Sequence, residues 1–356
     1  MDAAGGRAGT ASRRSAARPR PAVLATGRAR AAGLIAVLVT VALAAIASLA
    51  IGSFAISLGE VWAAFTAFDD SDAHVIVTEL RVPRTEVGLL VGAALGAAGA
   101  LMQGLTRNPL ADPGILGINA GAAFAVVLGI FLLGISSIQG YVWFALLGAA
   151  VASVLVYALG TSGRDGATPV KLALAGAVLA ALLVALTSPV LVFDTRTLDD
   201  FRFWIVGSIA GRDTGVVLAV APLIAVGIAL ALASGRWLNA LALGDEVARS
   251  LGQRVARARV AVAVGFVLLA GAGVAAAGPI AFVGLAVPHM ARGLVGADYR
   301  WIVPYSIGLG AAVLLAGDVL ARVVASPAEL EVGIVTAVLG APFFIALVRR
   351  RRLAEL

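Results

Sequence analysis

Uninterrupted apolar runs decide what this chain can fold into. About ten of them lie between residues 31 and 348, most close to the roughly 20 residues a helix needs to cross a bilayer. They cover residues 31–54, 86–105, 115–134, 141–160, 172–193, 216–233, 260–277, 280–291, 302–321 and 332–348. Hydrocarbon offers no water to the backbone, so each run must pair its own N–H and C=O groups. The expectation is an all-α polytopic membrane protein. Composition agrees, with 61% of the 356 residues hydrophobic and only 13% charged. The eighth run, 280–291, is short and contains Pro288, so it is either tilted, half-buried in protein or not a full crossing.

The net charge of +7 does not indicate nucleic acid, because the arginines sit in tails and loops between apolar runs. They report topology instead. With ten crossings both termini share one side, and most basic residues fall on it, leaving Arg81, Arg84, Arg196, Arg202, Arg212 and Arg322 opposite. That excess places both termini in the cytoplasm. Residues 1–30, built from Ala, Gly, Ser and Arg, read as a disordered cytoplasmic tail. Residues 31–348 form the membrane domain and 349–356 a basic cytoplasmic tail. The chain has no cysteine, which excludes disulfides and thiol chemistry. His74 and His289 lie far apart and read as isolated polar side chains, so neither a metal nor a cofactor is expected.

In the second run Gly88, Gly92, Gly96, Ala100 and Gly104 recur every four residues, laying a small-residue groove along one helical face. Gly117, Gly121, Ala125 and Gly129 repeat it in the third. Another helix must approach each groove closely.

Residues 235–259 form the least apolar internal stretch and are long for a loop between two crossings. Gly244 breaks the chain, Asp245 stands as an N-cap, and Val247, Ala248 and Leu251 share one face of a short helix that Gly252 ends. Two short helices around a Gly turn make a compact knob, followed by Arg254, Arg257 and Arg259. An interfacial helix lying on lipid headgroups is the plain alternative.

The wording LNALALGDEVARSLGQRV resembles the loop through which permeases of the FecCD/BtuC family of ABC importers touch their ATPase. The resemblance implies that Leu241, Gly244, Asp245, Glu246, Val247, Ala248, Leu251 and Gly252 form a coupling loop, with Leu241, Val247 and Leu251 as its buried apolar contacts. GALMQGLTRNPLADPGILG, GPIAFVGLAVPHMAR and DVLARVVASPAELEVGIVTAVLGAPFFIALV are similar to the same family, so the match runs from about residue 60 to residue 348. By that pattern Asn108 and Leu110, with Thr168 from the neighbouring loop, constrict the cytoplasmic end of the path. RVPRT matches the site that receives acidic residues of a solute-binding protein, implying docking by Arg81, Arg84 and Arg322; independently of the resemblance, Asp318 stands one helical turn before Arg322, at a spacing suited to orienting it. FWIVGSIAG matches a short helix beside the outer mouth. The family further implies an inverted repeat of spans 2–5 and 7–10 and a second permease copy. Its other partners are a cytoplasmic ATPase and an extracytoplasmic binding protein. The cargo it suggests is a ferric siderophore, with haem and cobalamin left open.

Catalysis by the chain itself is not expected. Its one lysine, Lys171, lies in no GxxxxGK[ST] context, so ATP hydrolysis belongs to a partner. A carrier driven by protons or sodium would place carboxylates inside spans, and only Asp318 lies well within one. An intramembrane enzyme would need paired carboxylates, a His cluster or a Ser–His dyad at membrane depth, and the sequence offers none of these.

Overall fold

Each apolar run becomes a helix. The computed structural model describes residues 22–112, 114, 117–161, 169–326 and 328–349. The helices are α1 (Gly27–Ala50), α2 (Leu58–Thr66), α3 (Asp72–Val75), α4 (Val82–Thr106), α5 (Ile118–Leu133), α6 (Ile138–Thr161), α7 (Pro169–Phe193) and α8 (Thr195–Ile205). They continue with α9 (Thr214–Ala233), α10 (Gly235–Ala242), α11 (Asp245–Ser250), α12 (Val255–Ala277), α13 (Val283–Val295), α14 (Tyr299–Val324) and α15 (Val332–Arg349). Among the described residues, seven helices are long and apolar enough to cross a bilayer, and the apolar helices Ile118–Leu133, Val283–Val295 and Val332–Ala346 are shorter.

A wide π turn over Ile76–Arg81 joins α3 to α4 without a break. Pro83 follows it and cannot donate to the carbonyl four residues back, which favours a local change of helical pitch.

Helix α4 forms the centre. Its apolar window is 89% buried, against 11% for α1 and 17% for α7, so those two lie at the periphery. The cause is the small-residue face. A Cβ on Gly92 would stand 2.7 Å from the Ala311 Cα, and one on Gly96 or Gly99 would overlap the carbonyl oxygen of Ser306 or Gly284. Helix α4 therefore meets α14 and α13 backbone to backbone. Gly121 and Gly148 bring α5 and α6 together in the same way.

Among the boundaries that differ from expectation, two have a clear local cause. Helix α1 begins at Gly27, ahead of residue 31, because Thr26 caps it by accepting from the Ala29 N–H at 3.2 Å. The Leu24 N–H also bonds the Leu294 carbonyl at 2.9 Å. Residues 22–30 are thus ordered, while residues 1–21 of the expected tail lie outside the described residues. Helix α13 begins at Val283, after a turn in which Gly278 and Phe282 take φ of 72° and 69°. Its 13 residues reach only about 20 Å, against roughly 30 Å of hydrocarbon. The 278–282 turn covers further depth packed against protein, where irregular backbone is tolerated.

Adding one methyl at the centre tests this packing. Gly96→Ala should destabilise the purified protein by about 1–3 kcal/mol in detergent unfolding. Gly27→Ala, whose Cβ would meet nothing within 4 Å, should leave the transition where it is.

Candidate functional site

The knob keeps its shape through a core of its own. Gly235 lets α10 leave α9 at once, since a Cβ there would press within 3.0 Å of the Arg300 backbone. Helix α10 buries Leu238 and Leu241. Gly244, at φ 107°, then turns the chain in a conformation that strains any L side chain. Helix α11 folds back, and Leu241, Ala248 and Val255 close on one another at 1%, 0% and 6% exposure. Gly252 ends α11 as expected, in a left-handed conformation with the Gln253 N–H reaching the Ala248 carbonyl at 3.0 Å.

This corrects part of the sequence reading. Leu241 and Ala248 face inward and hold the two short helices together. The surface left for a partner carries Leu243, Val247 and Leu251, at 62%, 44% and 66% exposure, with Glu246 exposed beside them.

Asp245 does not cap α11 either. Gly244 occupies the N-cap position and no side chain caps that helix. The Asp245 carboxylate instead pairs with Arg259 Nη2 at 2.9 Å and with Arg107 Nη2. Two guanidinium donors form stronger, charge-assisted bonds than a backbone N–H would. Arg107 ends α4 at φ 52°, directly before the Asn108 loop. There Asn108 Oδ1 accepts the Leu110 N–H at 3.0 Å, and the Ala111 N–H bonds the Asn108 carbonyl at 3.1 Å, forming an Asx turn. Asn108 is exposed and Leu110 half-buried, while Thr168 lies outside the described residues. The structure thus joins the knob to the Asn108 loop through an ion pair that the sequence reading missed. Opposite charges in the two most distinctive internal stretches were its only sequence signal.

Asn239 adds a second tie. Its Nδ2 donates to Asp298 Oδ1 at 2.6 Å and its Oδ1 accepts the Tyr299 N–H at 2.8 Å, fixing α10 to the start of α14. Asp298 also accepts from Arg300 Nη2 at 2.7 Å, and this bond, aided by Asn239, holds its carboxyl down to about 2.

The opposite end of the bundle gathers Arg81, Arg84 and Arg322, as expected, but turns them inward. Arg81 Nη1 donates to the Leu49 and Ala50 carbonyls at 2.7 and 2.8 Å, and its Nη2 donates to that of Phe54. Arg322 Nη1 donates to the Ser48 and Ile51 carbonyls at 3.0 and 2.8 Å. These oxygens lie in and just beyond the last turn of α1, where a helix leaves carbonyls unpaired at its negative end. Arg81 and Arg322 are accordingly only 6% and 2% exposed, which corrects the picture of three outward docking cations. Asp318 bridges Arg84 at 2.8 Å and Arg322 at 3.0 Å. The other arm of Arg84 meets Glu329 at 2.7 Å, and Ser53 Oγ donates to the same carboxylate at 3.0 Å.

The 207–211 turn closes this end. The Ser208 N–H bonds the Ala277 carbonyl at 2.7 Å and the Gly333 N–H bonds the Gly207 carbonyl at 3.0 Å. The segment after α8 therefore joins the end of α12 to the start of α15.

A family model described as the FecCD transport family matches residues 38–350. The chain belongs to the FecCD transport family. Members of this family are permease subunits of ABC importers, multi-pass membrane proteins that transport rather than catalyse. The chain is 45% identical over 322 residues to the ferric enterobactin transport system permease protein FepD of Escherichia coli (strain K12), covering 90% of this chain and 96% of that one. It is 36% identical over 320 residues to the hemin transport system permease protein HmuU of Yersinia pestis, covering 88% and 94%. A solved inward-facing conformation of a metal-chelate type ABC transporter superposes with a TM-score of 0.80 at 31% identity, over 90% of this chain and 99% of that one. As a FecCD permease the chain works with an ATPase and a binding protein.

The Asp298 cluster gives a pH test. Its folded pKa of about 2 lies below the ordinary 3.8, so its stabilising effect is full above about pH 4 and disappears as pH falls towards 2. Thermal unfolding followed from about pH 6 down to about pH 2.5 should show that loss. Asn239→Ala should lower stability by about 1 kcal/mol at neutral pH and move the acid decline to higher pH. An acid profile identical to that of the parent protein would separate Asn239 from the cluster.

Proposed function

We propose that this permease passes a ferric siderophore from an extracytoplasmic binding protein to the cytoplasm of a bacterium, driven by a separate ATPase that engages the knob. The observation that carries the mechanism is Asp245 held between Arg107 and Arg259. It links a surface available to the ATPase with the loop of Asn108 and Leu110, which together with Thr168 would close the path. A shift of the knob then pulls on Arg107 at the end of α4. The arginine distribution supports a cytoplasmic knob and cytoplasmic termini. Likeness to a ferric enterobactin permease at 45% identity, against 36% for a hemin permease, supports the siderophore over haem.

A second permease copy, identical or a sister chain, completes the path. Helix α7 and helix α15 leave Leu174, Val178, Leu182, Val338, Leu339 and Ile345 exposed, which suits a partner helix or lipid. At the other end Glu329 occupies Arg84 from within the chain. An acidic side chain of the binding protein would dock by taking the place of Glu329, while Arg81 and Arg322 keep α1 in position.

Proteoliposomes containing this chain, its ATPase and a loaded binding protein should import a ferric catecholate only with ATP, and haem poorly. Uptake driven by an ion gradient alone would support a secondary carrier instead. In the same assay Leu251→Ala should weaken ATPase binding, by about 2 kcal/mol if the residue is a central anchor, without changing melting. Leu241→Ala should lower the stability of the knob by about 2–5 kcal/mol. Asp245→Asn should bind the ATPase yet lose substrate-stimulated hydrolysis. Full stimulation in that variant would remove the ion pair from the coupling route.

Docking has its own expected signature. Glu329→Gln should tighten association with the binding protein and Arg84→Glu should weaken it, both most clearly at low salt. Equal affinities for all three proteins across the salt range would take docking away from this cluster.

A further inference from the structure

The start of α12 carries a charge arrangement that the coupling mechanism does not use. A cavity of about 550 Å³ lies between α10, the end of α11 and the first turns of α12. Arg236, Arg254 and Arg257 line it, together with Trp237, Leu251, Ala258 and Ala261. No carboxylate lines it, and among the described residues none pairs with these three arginines. A second cavity of about 470 Å³, bordered by Arg249, Arg254, Arg257 and Arg259, adjoins it across the same turn. Helix α12 has no acidic residue in its first turn and no side-chain cap. Three cations therefore gather at the positive end of a helix dipole, an arrangement that disfavours itself unless an anion is present.

The walls indicate which kind of anion. Above Arg257, Val260 and Val264 follow at helical spacing on α12, each 46% exposed. Leu232, near the end of α9, is 50% exposed. From Arg257 to Val264 the helix climbs about 10 Å into its apolar span. A soluble protein docking on the knob could neutralise the arginines but would not reach that track. An anionic lipid would do both, its phosphate at the guanidiniums, its glycerol beside Trp237 and an acyl chain along the exposed valines of α12.

We propose that this cavity is a binding site for an anionic phospholipid, held by Arg236, Arg254 and Arg257 at the base of the knob. The proposal rests on the reading that the knob end meets a membrane surface. The lipid neutralises the start of α12 and sets the knob at a fixed depth.

The experiment uses the full chain alone, in phosphatidylcholine nanodiscs that expose both leaflets, so neither ATPase coupling nor orientation affects its outcome. Titrated phosphatidylglycerol should remain bound in native mass spectra and raise the melting temperature. Each arginine removed should lower the preference for phosphatidylglycerol over phosphatidylcholine about fivefold. Arg236→Gln/Arg254→Gln/Arg257→Gln should therefore lose most of it, and Arg28→Gln, exposed elsewhere on the chain, should not. If the triple variant misfolds, Arg257→Gln alone still reads the fivefold step. Unchanged retention in these variants would overturn the proposal. So would equal stabilisation of the parent protein by inorganic phosphate, which would make this a site for free anions. A triple variant that keeps the lipid here and, in a separate pull-down, fails to hold the ATPase would assign the arginines to the protein partner.

Discussion

The close approach of α4 to its neighbours is the contact on which everything else rests. In lipid there is no hydrophobic gain from bringing two apolar helices together, so association depends on how near the backbones can come. Gly92, Gly96 and Gly99 remove the side chains that would hold α13 and α14 away. The apolar window of this stave is 89% buried, and a charged cluster stands at each end, around Arg84 at one and Arg107 at the other. Helices α1, α9, α10, α12, α13 and α14 pack directly against it.

The two ends are held by different physics. Beside the start of α4, guanidiniums satisfy the last carbonyls of α1, a peripheral helix with few buried residues of its own. Burying these arginines is tolerable because their partners include helix-end oxygens and the Asp318 carboxylate, which lower the cost of desolvation. At the knob end the ties are more exposed and more polar, resting on Asp245 and on the Asn239–Asp298 pair. One end thus rests largely on buried guanidiniums and the other on more exposed polar pairs.

Much of this was legible in the amino-acid order. Each apolar run coincides with a helix, because hydrocarbon leaves a single segment no alternative. The four-residue glycine spacing located the tight face of α4, and Gly244 and Gly252 located the turns of the knob. Side-chain partners were less legible, since they depend on which ends of distant helices meet. Asp245 has the local spelling of an N-cap, but Arg107 and Arg259 outcompete the backbone for its carboxylate. Leu241 has the spelling of a surface anchor, but a fold-back of one short helix on another covers it. Arg81 and Arg322 read as outward cations only while the carbonyls of α1 are out of view. Local pattern places elements, and long-range geometry decides what their polar groups do.

A rod clamped along its whole length cannot absorb a displacement by bending. Helix α4 has 25 residues, about 37 Å from end to end, and its middle has no compressible side chains between it and α14. A force on Arg84 at one mouth can therefore be relieved only by sliding or tilting the whole stave. At its far end stands Arg107, paired with Asp245. The glycines that make the bundle tight therefore also leave its central member little room to bend.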